Sequence, residues 1–201
     1  PREGECDPGE IERIKALPPR VKYAARTYYG MSGWRTADIT PYHIGAWDEV
    51  GLPSNIGLRT ARFPALDIDI KEPEDAALVQ AIQRLVREEC PEEQQPWVRY
   101  RDNSPSSAIL FNIDGTPFGK GSRNFITPSG HEAKIELLAD GQQIVVGGMH
   151  ASGFPLRWRR LNETTDSLPR MPEMPALSGV EGANTLLDRI YEFVIERGCA
   201  P

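Results

Sequence analysis

Apolar positions along the chain change period several times, and each change marks an element. "EIERIKALP" spaces its aliphatic residues as a short helix does, and Pro18 and Pro19 close it. A loop-rich stretch with Trp34, Pro41 and Trp47 leads to "FPALDIDI", where Leu66, Ile68 and Ile70 alternate with Asp67 and Asp69 as in a strand. "EPEDAALVQAIQRLVREEC" then switches to helical spacing. Leu78, Ile82, Leu85 and Val86 form one stripe, Pro73 takes a first-turn position, and acids fill that turn. "WVRYR" and "SAILFNI" return to period two, with β-branched and aromatic content. From Asp114 to Ser129 a Gly-, Ser- and Pro-rich segment reads as a long loop, and "KIELLADGQQIVV" reads as a hairpin turning at Asp140 and Gly141. A Pro-rich stretch from Leu168 to Pro175 precedes a last amphipathic helix over about residues 179–197. It carries Leu186, Leu187, Ile190, Phe193 and Val194 and stops at Gly198.

The alternation in "FPALDIDI" poses a chemical question. Asp67 and Asp69 leave the same strand face with Cα atoms roughly 6 to 7 Å apart. Two carboxylates so placed repel each other unless a cation lies between them, and a hard divalent ion with oxygen ligands satisfies both. The bland alternative is the solvated acidic face of an edge strand, and a bare DxD on its own favours that reading.

Composition narrows the classes. The 201 residues suffice for one well-filled domain, so a single unit over 1–201 is expected. With 39% hydrophobic and 26% charged residues the chain is neither disordered nor membrane-spanning in character, and no signal peptide opens it. Its start at Pro1 rather than Met suggests a piece of a longer chain. Cys6, Cys90 and Cys199 are isolated, which points to reduced thiols in a cytoplasm rather than to disulfides or a zinc ribbon. A formal charge of −6 does not advertise nucleic-acid binding, yet the bases are unevenly placed. They gather at Arg59 and Arg62, Arg99 and Arg101, Lys120 and Arg123, and Arg157, Arg159 and Arg160, so an acidic exterior with a basic cleft is compatible with the sequence.

Three blocks now stand in order: "NIGLRTARFPALDIDI", "RYRDNSPSSAILF" and "KIELLADGQQIVVGGMHASGFPLRW". From about residue 34 to 158 the chain resembles the bifunctional primase-polymerase (Prim-Pol) domains of the archaeo-eukaryotic primase superfamily. The blocks stand as acidic motif, basic strand pair and histidine motif. Three blocks in this order favour metal-holding carboxylates over a solvated face. The resemblance implies an α+β fold: an RRM-like palm sheet of mainly antiparallel strands with flanking helices, fused to a smaller α/β lobe. It also implies template-directed DNA primase and polymerase activity in the replication of a phage, plasmid or mobile element. The substrates would be dNTPs or NTPs, and the nucleic-acid partners single-stranded template and primer-template.

The resemblance assigns roles residue by residue. Asp67 and Asp69 would bridge two Mg²⁺ or Mn²⁺ ions, with a third acid after the histidine motif, Asp166 or alternatively Glu163. His150 would donate a hydrogen bond to the phosphates of the incoming nucleotide; Gly148 stands where many members carry a serine. Arg101 would clamp triphosphate oxygens, with Arg99 two residues earlier and Lys134 and Arg59 as further phosphate contacts. Lys120 and Arg123 in the long loop, with Arg157, Arg159 and Arg160, are the candidates for template contact. Each has a structural alternative: a packed histidine, or a strand arginine paired with a carboxylate. Trp158 reads as core. A metal-dependent nuclease and a non-catalytic nucleic-acid-binding module of the same fold are the competing functions. No GxxxxGK[ST] motif occurs, so helicase activity would reside in a downstream domain or a partner.

Overall fold

A computed structural model describes residues 19–23, 26–29, 55–150, 152–161, 163 and 174–201. They fall in two units, one of 1–55 with 148–153 and one of 56–147 with 154–201. In the first unit, β1 (Pro19–Tyr23) and β2 (Arg26–Tyr29) pair antiparallel. The expected helix at "EIERIKALP" and the stretch of Trp34, Pro41 and Trp47 lie outside the described residues.

The second unit is built on a six-stranded antiparallel sheet. Its strands are β4 (Ala65–Asp69), β5 (Trp97–Arg101), β6 (Ser104–Leu110), β8 (Gly121–Ile126), β9 (Glu132–Leu138) and β11 (Arg157–Arg160), in the spatial order β11-β5-β6-β4-β9-β8. β4 takes an interior place because both its faces are apolar at one end: Ala65, Leu66 and Ile68 are fully buried. Leu66, Ile68 and Ile70 face a core shared with Val98, Ile109, Ile135 and Leu137 and with two helices, α1 (Ala76–Glu88) and α2 (Gly179–Glu196). α1 contributes Leu78, Val79, Ile82 and Val86, the stripe expected from its spacing, and Pro73 opens a 3-10 turn (Pro73–Asp75) that feeds it. On the opposite face Ala65, Trp97, Ala108 and Leu110 pack with Trp158, as expected for that tryptophan, and with Ile144. Ile144 belongs to a ribbon of β3 (Ile56–Arg59) and β10 (Gln143–Gly147). β7 (Asn112–Asp114) and β12 (Ala176–Ser178) form a short parallel pair. The fold is thus α+β with mainly antiparallel sheets, and among the described residues no helix is long and apolar enough to cross a membrane.

Two local expectations are corrected. The segment from Asp114 to Ser129 is not one loop, for "GSRNFI" is β8, paired with β9 from Gly121 opposite Leu137 to Ile126 opposite Glu132. Composition misled there because Gly121 is a close approach rather than a breaker: a Cβ on it would come 2.6 Å from Leu187 Cδ1 of α2. "KIELLADGQQIVV" turns where expected, with Gly141 at φ 75° and Gln142 N–H on Ala139 C=O (3.1 Å), but its arms part. β9 joins the sheet between β4 and β8, while β10 leaves to pair with β3. Thr60 holds the point of divergence, its hydroxyl donating to Ala139 C=O (2.6 Å) and its N–H to Gln142 C=O (3.2 Å).

Candidate active site

Strand register assembles the site. Asp67 lies opposite Ala108 on β6 and Glu136 on β9; Arg99 is the other neighbour of Ala108, Trp158 the partner of Arg99, and Ser122 the partner of Glu136. One row therefore crosses all six strands: Trp158, Arg99, Ala108, Asp67, Glu136, Ser122. Two residues along β4, Asp69 lies opposite Lys134. The helices cover the alternate face, so this row and the Asp69–Lys134 pair share the face away from them. Ala108 has a steric role, because an alanine between Arg99 and Asp67 leaves room for the guanidinium to cross β6. Arg99 Nη2 stands 3.6 Å from Asp67 Oδ1, and Nη1 donates to Val145 C=O at 2.7 Å, tying β5 to β10.

Each carboxylate in the group has a cation beside it. Lys71 Nζ is 3.3 Å from Asp69 Oδ2, and Glu136 takes Lys120 (2.5 Å) and Lys134 (2.9 Å) on its two oxygens. Burial raises the Asp67 carboxyl above its ordinary range; Arg99 opposes this, while Asp69 and Glu136 add to it. Glu136 moves the other way: burial alone would raise it, but the hydrogen bonds from Lys120 and Lys134 outweigh that and hold it below the usual range. Lys134 is raised, first by its bond to Glu136. Burial lowers Arg99, with Asp67 opposing. Asp67, Asp69 and Glu136 thus place oxygen donors, the ligand type of hard divalent ions, on one face of the sheet, each carboxylate with a side-chain cation beside it.

Glu136 is an acid beside Asp67 that the motif reading did not name. Its sequence signal was the alternation in "AKIELL", which sets Lys134 and Glu136 against Ile135 and Leu137, but only the register brings it to Asp67. Of the two acids expected after the histidine motif, Asp166 lies outside the described residues. Glu163 follows the edge strand β11 and pairs with Arg160 at 3.8 Å.

The basic residues separate. Lys134 and Arg99 are in the row's immediate surroundings, as described. Arg101 ends β5 beyond an irregularity in its pairing with β6, with a buried Nε that lacks a hydrogen-bond partner. Arg59 is exposed at the end of β3, opposite Gln143. Arg123 pairs with Asp188 of α2, on the helix side of the sheet, whereas Lys120 reaches Glu136. On β11, Arg160 stacks over Trp97 (5.3 Å), Arg159 over Tyr100 (5.2 Å), and Arg157 stands 3.6 Å from Asp102. Arg160 alternates with Arg157 and Arg159, so these three do not form one patch.

His150 belongs to the first unit and is held by its own loop. Ser152 donates its backbone N–H to Nδ1 (3.1 Å), and its hydroxyl lies 2.9 Å from the same atom. With Nδ1 accepting, the neutral imidazole carries its hydrogen on Nε2. The Asn55 side chain clamps the preceding residue, accepting from Met149 N–H (2.8 Å) and donating to Met149 C=O (2.9 Å). Gly148 is required beside that clamp: its φ is 105°, and a Cβ would fall 2.2 Å from Asn55 Oδ1.

A separate group, Glu72, Glu74 and His131, brings one ligand atom from each residue within 4.8 Å of the others. Asp67, Asp69 and Glu136 are not part of it.

Comparison with curated proteins and with solved structures gives no match. The family model described as the N-terminal domain of bifunctional DNA primase/polymerase matches residues 13–174 and so encloses the acidic strand, the basic strand pair and the histidine loop. With well over half its length inside that match, the chain belongs to the bifunctional DNA primase/polymerase (Prim-Pol) family.

Proposed function

We propose that this is the catalytic domain of a template-directed DNA primase/polymerase, with the antiparallel sheet as an RRM-like palm and Asp67, Asp69 and Glu136 as its metal-holding face. The observation that carries the reading is the register of β4 and β9, which sets Glu136 opposite Asp67 with Asp69 two residues along. Asp67, Asp69 and Glu136 would hold Mg²⁺ or Mn²⁺, which would supply positive charge to a primer 3′ hydroxyl and to the leaving oxygen at the α-phosphate. Arg99 holds Asp67 in place from behind and keeps β10 attached. Lys120 and Lys134 neutralise Glu136, and Lys134 is assigned to the phosphates of the nucleotide and Lys120 to the template. Arg101 and His150, the latter through Nε2–H, are assigned to the triphosphate of a dNTP or NTP. The domain works in the cytoplasm on the replication of a mobile element, phage or plasmid, and any helicase activity would reside in another domain or a partner.

Incubation with labelled primer-template, dNTPs and Mg²⁺ or Mn²⁺ tests the reading. A polymerase lengthens the primer, a nuclease shortens it, and a binding module leaves it unchanged whatever the metal. Repetition without primer tests priming.

A further inference from the structure

We propose that Glu72, Glu74 and His131 form a second divalent-metal site, of the zinc class, that ties the start of α1 to the turn between β8 and β9. Two independently fixed pieces of backbone meet there. Pro73 sets the 3-10 turn, closed by Asp75 N–H on Glu72 C=O (3.0 Å), and so carries Glu72 and Glu74 on a short rigid arc. The opposing turn is closed by Thr127 N–H on His131 C=O (2.8 Å), Gly130 N–H on Thr127 C=O (2.9 Å) and His131 N–H on Thr127 Oγ1 (3.2 Å). Neither turn needs the glutamates or the imidazole for its own closure.

What points to a ligand is the buried carboxylate beside the histidine. Asp75 is 4% exposed, and its Oδ1 accepts from the Ser129 hydroxyl at 2.8 Å. Its Oδ2 is buried without a hydrogen-bond partner and aims at His131 Nδ1, 3.5 Å away, which is also buried without one. The same Nδ1 stands 3.8 Å from Glu74 Oε1, so the buried, unpartnered Asp75 oxygen points into the place where Glu74 and the imidazole converge. A ring nitrogen of His131 and carboxylate oxygens of Glu72 and Glu74 complete a mixed nitrogen and oxygen donor set. Imidazole in that set selects Zn²⁺ over Mg²⁺, in contrast to the all-oxygen face of Asp67, Asp69 and Glu136.

The test is calorimetric titration of the chelator-stripped full chain with Zn²⁺, in a background of Asp67→Asn and Asp69→Asn that disables the other face. The expected result is one saturable Zn²⁺ per chain, lost in Glu72→Gln/Glu74→Gln and in His131→Gln. Both local turns close through backbone groups and the Thr127 hydroxyl rather than through the glutamate side chains, so the double variant should keep the metal-free circular dichroism and melting curve. Asp75→Asn should weaken Zn²⁺ binding about 10- to 100-fold, because the buried carboxylate charge beside the ion is lost. Zn²⁺ binding unchanged in Glu72→Gln/Glu74→Gln would overturn the site, as would absence of saturable binding. The latter result would leave His131 as a partner of Glu74 and Asp75 and nothing more.

Discussion

At the scale of single residues, Asp67 and Glu136 face each other across two strands and are shifted in opposite directions, which gives a pH signature. A raised carboxyl means that the folded state binds its proton more tightly than the unfolded state does. Ionised Asp67 therefore costs stability at neutral pH, and the cost disappears as pH falls through its raised value. Glu136 is depressed, so it contributes stability above its unfolded value and loses it as pH falls through the folded one. In chelator, the melting temperature of Asp67→Asn relative to wild type should be most favourable near about pH 7 and decline toward about pH 4. Glu136→Gln should show the reverse slope over its acid range. Equal slopes would mean that the lysines do not govern Glu136. Arg99 makes a second prediction through its neighbour: Ala108→Leu fills the gap the guanidinium crosses and should destabilise by about 1–3 kcal/mol while lowering extension activity. Full activity in that variant would show that Arg99 need not reach Asp67. That Asp67 and Asp69 share a face followed from the period of a strand. That Glu136 and Arg99 flank Asp67 did not, because cross-strand partners depend on register, which no local pattern in this chain specifies.

Among elements, the loop carrying His150 is the one whose geometry has a direct functional reading. Gly148→Ala introduces a side chain at φ 105° into the Asn55 side chain, and Asn55→Ala removes the clamp on Met149. If His150 acts on the triphosphate, both changes should raise the apparent KM for dNTP much as His150→Ala does, with little change in primer-template affinity. A raised KM in His150→Ala alone, with both loop variants normal, would disconnect the clamp from the histidine. Helix α1, the strands β4 and β5 and the final helix were legible because each keeps one period long enough to bury one face. The divergence of β9 from β10 was not, since a glycine turn specifies a reversal and says nothing about which neighbour each arm pairs with. β8 was obscured by its glycine and serine, which the approach of Leu187 and the pairing with β9 accommodate.

Across the whole molecule, charge decides how DNA is held. The formal charge is −6, and several bases expected to grip template already have protein partners: Lys120 and Glu136, Arg123 and Asp188, Arg157 and Asp102. Few phosphate contacts follow, so the slope of log affinity against log salt for single-stranded DNA should be no steeper than about −2, roughly three contacts at about −0.7 each. Anisotropy titrations at several salt concentrations measure it, and a slope several times steeper would require a continuous basic track. The family was legible from three motif blocks in order, and its match to residues 13–174 bears this out. The spatial grouping of the bases was not, because residues close in sequence, such as Lys120 and Arg123, turn to different sides of the sheet.

The central claim is that the face of Asp67, Asp69 and Glu136 performs nucleotidyl transfer, and single-turnover primer extension in Mn²⁺ tests it most directly. Wild type, Asp67→Ala, Asp69→Ala, Glu136→Gln and Glu163→Gln would be compared at equal, verified folding. The account predicts extension by wild type, loss of at least about a hundredfold in each of the first three variants, and near wild-type rates for Glu163→Gln. A wild-type protein that does not extend primers, or a Glu136→Gln variant that extends them at the wild-type rate, would contradict it.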